Sequence, residues 1–270
     1  MRNPLSLLRR RGVVSVIRLV GVIGAGARFG ASSLSDAGVA PLVEAAFSRG
    51  KPLAVAVAIN SPGGSAAQSS LIAARIRRIA DEKRIPVHAF VEDVAASGGY
   101  WLATAADRIH VDPNSILGSI GVISASFGFQ DFIARHGVER RLHTAGEDKS
   151  LLDPFRPERP EDVVRLKRLQ EVIHGNFIDQ VKSRRGERLK GDDLFSGDIW
   201  IGRAAVDVGL ADEVGHLVPT MRRLYGEDFR FRMVTPRRPL IRRLGLPGVA
   251  DALGGLEDRA VWARFGLAAP

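Results

Sequence analysis

The chemistry in this chain gathers on a few small residues. Ser97 stands in Asp93-Val94-Ala95-Ala96-Ser97-Gly98-Gly99-Tyr100, after the apolar run Val87 to Val91 and before a segment rich in helix formers. A serine on a strand-to-helix turn exposes its hydroxyl, and the backbone N–H groups that follow it stay free to bind an anion. That suits a nucleophile, although a helix N-cap serine is the plainer reading of the same pattern. A second turn, Ser61-Pro62-Gly63-Gly64-Ser65, closes the earlier apolar run Leu53 to Ile59. In an open parallel sheet both turns fall at the carboxyl edge, where ligands bind. Gly64 and Gly98 then offer two N–H donors beside a hydroxyl. Acyl transfer needs that arrangement, because negative charge develops on a carbonyl oxygen.

A serine nucleophile also needs a base. The six histidines, His88, His110, His136, His143, His174 and His216, are scattered, and no acidic neighbour in sequence orients any of them. A triad can still assemble in space, and a lysine is the other known solution. Only six of the 39 basic residues are lysine, so a lysine in a suggestive place carries information. Lys149 lies in the loop Thr144 to Phe155, polar at first and apolar in its second half. Glu147 and Asp148 favour its charged form, so a catalytic amine there must be withdrawn from water. On the residues alone, a catalytic lysine, an exposed loop lysine and a histidine base all stand. The absence of cysteine excludes disulfides, thiol nucleophiles and cysteine-ligated metals.

The elements that must position these groups alternate. Val14 to Ile23 reads as a first core strand and Ser35 to Arg49 as a helix with Val39, Leu42, Val43, Ala46 and Phe47 on one face. Ser65 starts a helix with Leu71, Ile72, Ile76 and Ile79 at helical spacing, and Pro86 ends it. Strands are expected at Arg108 to Val111, Ile116 to Ser124 and Glu139 to Thr144, with helices at Phe127 to His136 and Pro160 to Arg184. The last of these carries Val163, Leu166, Leu169, Ile173, Phe177 and Val181 on one stripe. Strands alternating with helices predict an α/β fold of layered β-α-β units. At 270 residues the chain can bury a substantial core.

The formal charge of +9 concentrates at the two ends, from Arg2 to Arg18 and from Arg222 to Arg243. Peripheral contact with an anionic membrane surface is one use for such ends; without interleaved stacking aromatics, nucleic acid is not expected. Val13 to Ala27 imitates a signal peptide, but Arg18 interrupts it and no run reaches spanning length. A cytoplasmic protein, peripheral to the inner membrane, is the expectation.

Four motifs agree in order and spacing: Ser61-Pro62-Gly63-Gly64-Ser65, Ala95-Ala96-Ser97-Gly98-Gly99-Tyr100, Gly118-Ser119-Ile120-Gly121-Val122 and the Lys149 loop. Together they resemble peptidase family S49, the signal peptide peptidases of the protease IV type within the Clp/crotonase superfold. Gly202-Arg203-Ala204-Ala205 and Val208-Gly209-Leu210-Ala211-Asp212 are similar to that family's closing helix and strand. The resemblance covers about Val14 to Leu217. It implies that Ser97 is the nucleophile and Lys149 its general base, with Ser119 orienting the amine. It implies an oxyanion hole at Gly64 and Gly98, an apolar substrate pocket lined by Ile120 and Val122, and neither metal nor cofactor. It also implies peptide substrates with small and apolar side chains and a ring-shaped homo-oligomer. Family members commonly begin with a membrane-spanning helix, which this sequence lacks, and this chain is a single catalytic unit. The alternatives are a Clp-type or crotonase-like acyl-handling enzyme and a catalytically inactive membrane-associated scaffold. The expected domains are a basic tail at 1–12, a catalytic domain at 13–220 and a loosely packed basic extension at 221–270.

Overall fold

The computed structural model describes residues 12–24, 34–146, 149–235, 259 and 261–268. Apart from Gly12, the expected N-terminal tail lies outside them. The chain divides into two compact units, one of residues 1–120 with 179–270 and the other of residues 121–178.

The first unit is built on a mostly parallel sheet. Its strands are β1 (Gly12–Val20), β2 (Ala54–Ser61), β3 (Val87–Ala96), β4 (Arg108–Val111), β5 (Ile116–Gly118), β6 (Ile199–Ile201), β7 (Glu213–Val214) and β8 (Phe229–Met233). The order β6-β5-β3-β2-β1-β8 forms the main path, and β4 joins β3 to β7. Among the described residues, only the β5–β6 pairing is antiparallel. All eight residues of β2 are buried, as expected of a parallel strand covered on both faces. On one face, Val14, Val16, Ala54, Ala56 and Phe90 pack with Met221 and Leu217 of α7 (Leu217–Tyr225). Two further helices, α1 (Asp36–Ser48) and α2 (Ala66–Lys83), pack side by side, joined by a bidentate Arg75–Asp36 pair at 2.7 Å for each contact. Ser35 caps the N-terminus of α1 and Ser65 that of α2, so the helix starts expected from sequence hold.

β3 is the hinge of this arrangement. Its first half pairs with β4 and its last three residues pair with β5 along the same edge. Against β2 its register shifts between Ile59/Val91 and Ser61/Ala95, so β3 carries two extra residues there. Asn60 fills the irregularity, donating to Asp93 at 2.6 Å and accepting from the Val94 N–H at 3.3 Å. A bulge of this kind re-aims the residues beyond it.

The sheet continues past residue 220. α7 and β8 carry it to Met233, with β8 pairing in parallel beside β1. Beyond them Trp262, only 2% exposed, packs on Val94 and Ala96 of β3. Residues 236–258 lie outside the described ones. β5 ends at Gly118 rather than near Ser124, because Gly118 (φ 100°) and Ser119 (φ 49°) turn the chain out of the sheet.

In the second unit, α4 (Gln130–Arg135) is shorter than expected and buries none of its residues. No strand forms over 139–144. Their backbone meets no described strand there, and a lone strand leaves its N–H and C=O groups unpaired. The helix expected from Pro160 is α5 (Pro160–Arg185), whose final turns, from Asp179, belong to the first unit.

Arg185 locks those final turns in place. It is 2% exposed, grips Asp212 through two contacts of 2.9 and 3.2 Å, and donates to Gly209 O at 2.9 Å. Asp212 also accepts the Ile109 N–H at 2.7 Å. Burial opposes the Asp212 charge, but the Arg185 hydrogen bonds and charge outweigh it and hold the carboxyl below its usual range. Removing one partner of a buried pair leaves the other uncompensated, so Asp212→Ala is expected to cost about 3–5 kcal/mol in urea unfolding. Because the folded-state pKa is depressed, this stabilisation is complete above about pH 5 and is lost as pH falls through the lowered value. A loss under about 1 kcal/mol, or one unchanged in acid, contradicts this role.

Candidate active site

Ser97 sits at the junction of β3 and α3 (Gly98–Ala103) with φ 52° and ψ −124°. This is a conformation that L-residues adopt only when their surroundings enforce it. Here the enforcement is visible. The Ser97 N–H donates to Gly118 O at 2.8 Å, and Ser97 O accepts from Tyr100 and Trp101 N–H groups at 2.9 and 3.1 Å. α3 itself is fully buried, and Tyr100 pins it by donating from its hydroxyl to Leu210 O at 2.9 Å. The sharp turn leaves the Ser97 side chain partly exposed, and among the described residues its hydroxyl makes no hydrogen bond.

The second turn closes on the first. A methyl group on Gly63 would stand 2.8 Å from Ser97 Cβ and 2.9 Å from Gly98 N, so only glycine permits this approach. A methyl on Gly98 would lie 3.4 Å from Gly64 N, which places the two turns' amides side by side. Gly64 is held by a parallel bridge to Ile23, in which Ile23 N–H reaches Gly63 O and Ser65 N–H reaches Ile23 O. The turns of Gly64 and Gly98 thus approach each other beside Ser97, and each leaves an N–H without an acceptor among the described residues.

Ser119 lies next to Ser97 in register. Ala96 pairs with Gly118 across β3 and β5, so the two serines follow neighbouring positions at the same sheet edge. Ser119 is also at positive φ, fixed by its N–H to Asp198 O at 2.6 Å. Ile120, in the same unit, is fully buried. Lys149 and Val122 belong to the second unit; Val122 is half-buried, and Lys149 is exposed with no carboxylate partner among the described residues. Sequence reading put all seven residues into one site; the first unit gathers Gly64, Ser97, Gly98, Ser119 and Ile120.

The histidines of the first unit are occupied elsewhere. His88 and His110 contact each other at 3.1 Å inside the sheet, with His88 also 2.9 Å from the Tyr225 hydroxyl and His110 3.1 Å from Glu213. Burial pushes both histidines toward the neutral form. His216 contacts Asp112 at 2.8 Å, a pair that the sequence separation of 104 residues had hidden. The serine nearest that pair in sequence, Ser115, spends its hydroxyl on the carbonyls of Val91 and Glu92 at 3.0 and 2.6 Å. Among the described residues, no group of three or more His, Asp or Glu side chains could hold a metal ion.

The strain at Ser97 has a measurable cost. Glycine tolerates this conformation and alanine does not, so Ser97→Gly is expected to be more stable than Ser97→Ala by about 1 kcal/mol in urea unfolding. Equal or reversed stabilities contradict the strained turn.

Residues 79–226, more than half of the chain, match the family model described as peptidase family S49. A protein of Brucella melitensis named as the Na(+)/H(+) antiporter NhaA is 46% identical over 94% of this chain, which spans 37% of that protein. The chloroplastic serine protease SPPA of Arabidopsis thaliana is 34% identical over 61% of this chain, matching 24% of its own length. Thus the chain spans well under half of these relatives. The solved structure of the membrane-bound stomatin-specific protease 1510-N is similar over 84% of this chain and all of that one, at 14% identity and a TM-score of 0.50. That similarity extends to the fold.

Proposed function

Because the chain belongs to peptidase family S49, we propose that it is a serine endopeptidase working through a Ser97–Lys149 dyad. The carrying observation is the strained Ser97 turn with the unpartnered Gly64 and Gly98 amides beside it. The neutral amine of Lys149 takes the Ser97 Oγ proton as that oxygen attacks the scissile carbonyl. The Gly64 and Gly98 N–H groups receive the oxyanion, which forms only on the way to the tetrahedral intermediate and so lowers the barrier selectively. Collapse expels the amine, which leaves with the proton from Lys149. Water, deprotonated by the same lysine, then hydrolyses the ester on Ser97. Ser119 accepts and donates at the Lys149 amine and sets its direction.

The substrates in this reading are peptides with small and apolar side chains; of the two residues expected to receive them, Ile120 is fully buried and only Val122 is open to contact. Relatives include one named as a putative signal peptide peptidase, which supports signal-peptide-like segments. The basic ends and the membrane-bound structural neighbour support work at the surface of a bilayer. Among the described residues, no helix is long and apolar enough to cross one.

A lysine base must leave water, and Lys149 is exposed in the single chain. The second unit also exposes Ile123, Phe127, Phe132 and Val172, each at least 60% accessible. Exposed apolar side chains in this number support self-association, and a closed homo-oligomer in which a neighbouring copy covers Lys149 accounts for both features.

The test is hydrolysis of an apolar peptide by Ser97→Ala, Lys149→Ala and the double variant, each checked by sedimentation. Each single change is expected to abolish turnover, the double to be no worse, and the parent to sediment as an oligomer. Turnover in Lys149→Ala overturns the dyad, and a fully active monomer overturns the assembly.

A further inference from the structure

The loop that carries Lys149 is tied at several points within the second unit. The Lys149 N–H donates to Gly146 O at 3.3 Å and the Asp153 N–H to Ser150 O at 3.2 Å. Between them Leu152 takes φ 52°, a left-handed conformation for a branched-chain residue. Such a turn persists only where neighbours over-determine it. Its neighbour is Asp162, in the first turn of α5 and 5% exposed. The Leu152 N–H points to Asp162 Oδ2 at 3.5 Å, the long end of a hydrogen bond. Arg159 fixes that carboxylate from the other side, Nε to Oδ2 at 3.0 Å and Nη2 to Oδ1 at 2.6 Å. Two residues further on, Pro154 O accepts the Phe129 N–H at 2.6 Å.

We infer that Asp162 is a positioning residue for Lys149. Held by Arg159 on a rigid helix, its carboxylate anchors the strained Leu152 turn three residues beyond the lysine and so sets where the Lys149 backbone stands. A bidentate arginine–carboxylate pair has fixed direction as well as charge, which makes it a defined anchor. The role rests on Lys149 being the base. A base displaced by an ångström loses rate while substrate affinity is kept, since binding does not depend on the amine.

The experiment measures kcat and KM on one apolar peptide for Lys149→Ala, Asp162→Ala, Asp162→Asn, Leu152→Gly and Asp162→Ala with Leu152→Gly, each confirmed folded by circular dichroism. Asp162→Ala is expected to lower kcat about 10- to 100-fold with KM changed less than about threefold. Asp162→Asn, which keeps an acceptor for the Leu152 N–H and resembles the parent in shape, should fold as the parent and lose less. Glycine relieves the left-handed turn, so Leu152→Gly should restore at least about threefold of kcat in the Asp162→Ala background. An unchanged kcat in Asp162→Ala, a loss carried by KM, or no recovery from Leu152→Gly overturns the positioning role. Full activity in Lys149→Ala overturns the base and this role with it. Loss in Lys149→Ala alone overturns only the positioning.

Discussion

The hydrogen bond from the Ser97 N–H to Gly118 O, at 2.8 Å, is the constraint on which the site depends. It holds a non-glycine residue at φ 52° and thereby turns the Ser97 hydroxyl out of the sheet. It also ties the ends of β3 and β5 together, so Ser97 and Ser119 stand at adjacent positions. Were the turn to relax into an extended conformation, the Gly98 amide would swing away from Gly64 and the pair of donors would be lost. Strain of this kind is stored at functional sites because the rest of the fold can bear it.

The rest of the fold bears it through burial. α3 behind the serine is wholly buried and anchored by Tyr100 to Leu210 O. The segment holding Leu210 is fixed in turn by the buried Arg185–Asp212 pair. On the strand side, Asn60 absorbs the two-residue irregularity of β3, and Trp262 covers Val94 and Ala96 just before the turn. Gly63 completes the arrangement by omission, since any side chain there would strike Ser97. These contacts explain why serine and glycine cluster at this edge while bulky residues stand one layer behind.

Much of this was legible from sequence. The helices beginning at Ser35 and Ser65 are visible in the spacing of their apolar residues, and the continuous apolar run before Asn60 marks a strand buried on both faces. The pairing of two glycine turns at one sheet edge was legible because parallel topology fixes where consecutive strand ends lie. What stayed hidden depended on distant partners. The β3 irregularity needs Asn60 and Asp93 together, and the His216–Asp112 pair spans 104 residues. β8 falls within the basic extension expected at 221–270, where arginines dominate the sequence, yet an edge strand beside β1 tolerates charge on its open side. The expected strand over 139–144 does not form because no described strand lies beside it to take its hydrogen bonds. The apolar stripe of α5 was correctly seen as helical, but Leu169 and Ile173 along it are exposed in the single chain. Periodicity identifies an apolar face without naming what covers it.

The central claim is that one serine, singled out by its backbone conformation, is the nucleophile. Reaction of the purified chain with a fluorophosphonate, followed by peptide mapping of the adduct, tests it most directly. The account predicts a single adduct on Ser97, with Ser115 and Ser119 unmodified and no labelling of Ser97→Ala. An adduct on another serine, or labelling that survives Ser97→Ala, would contradict it.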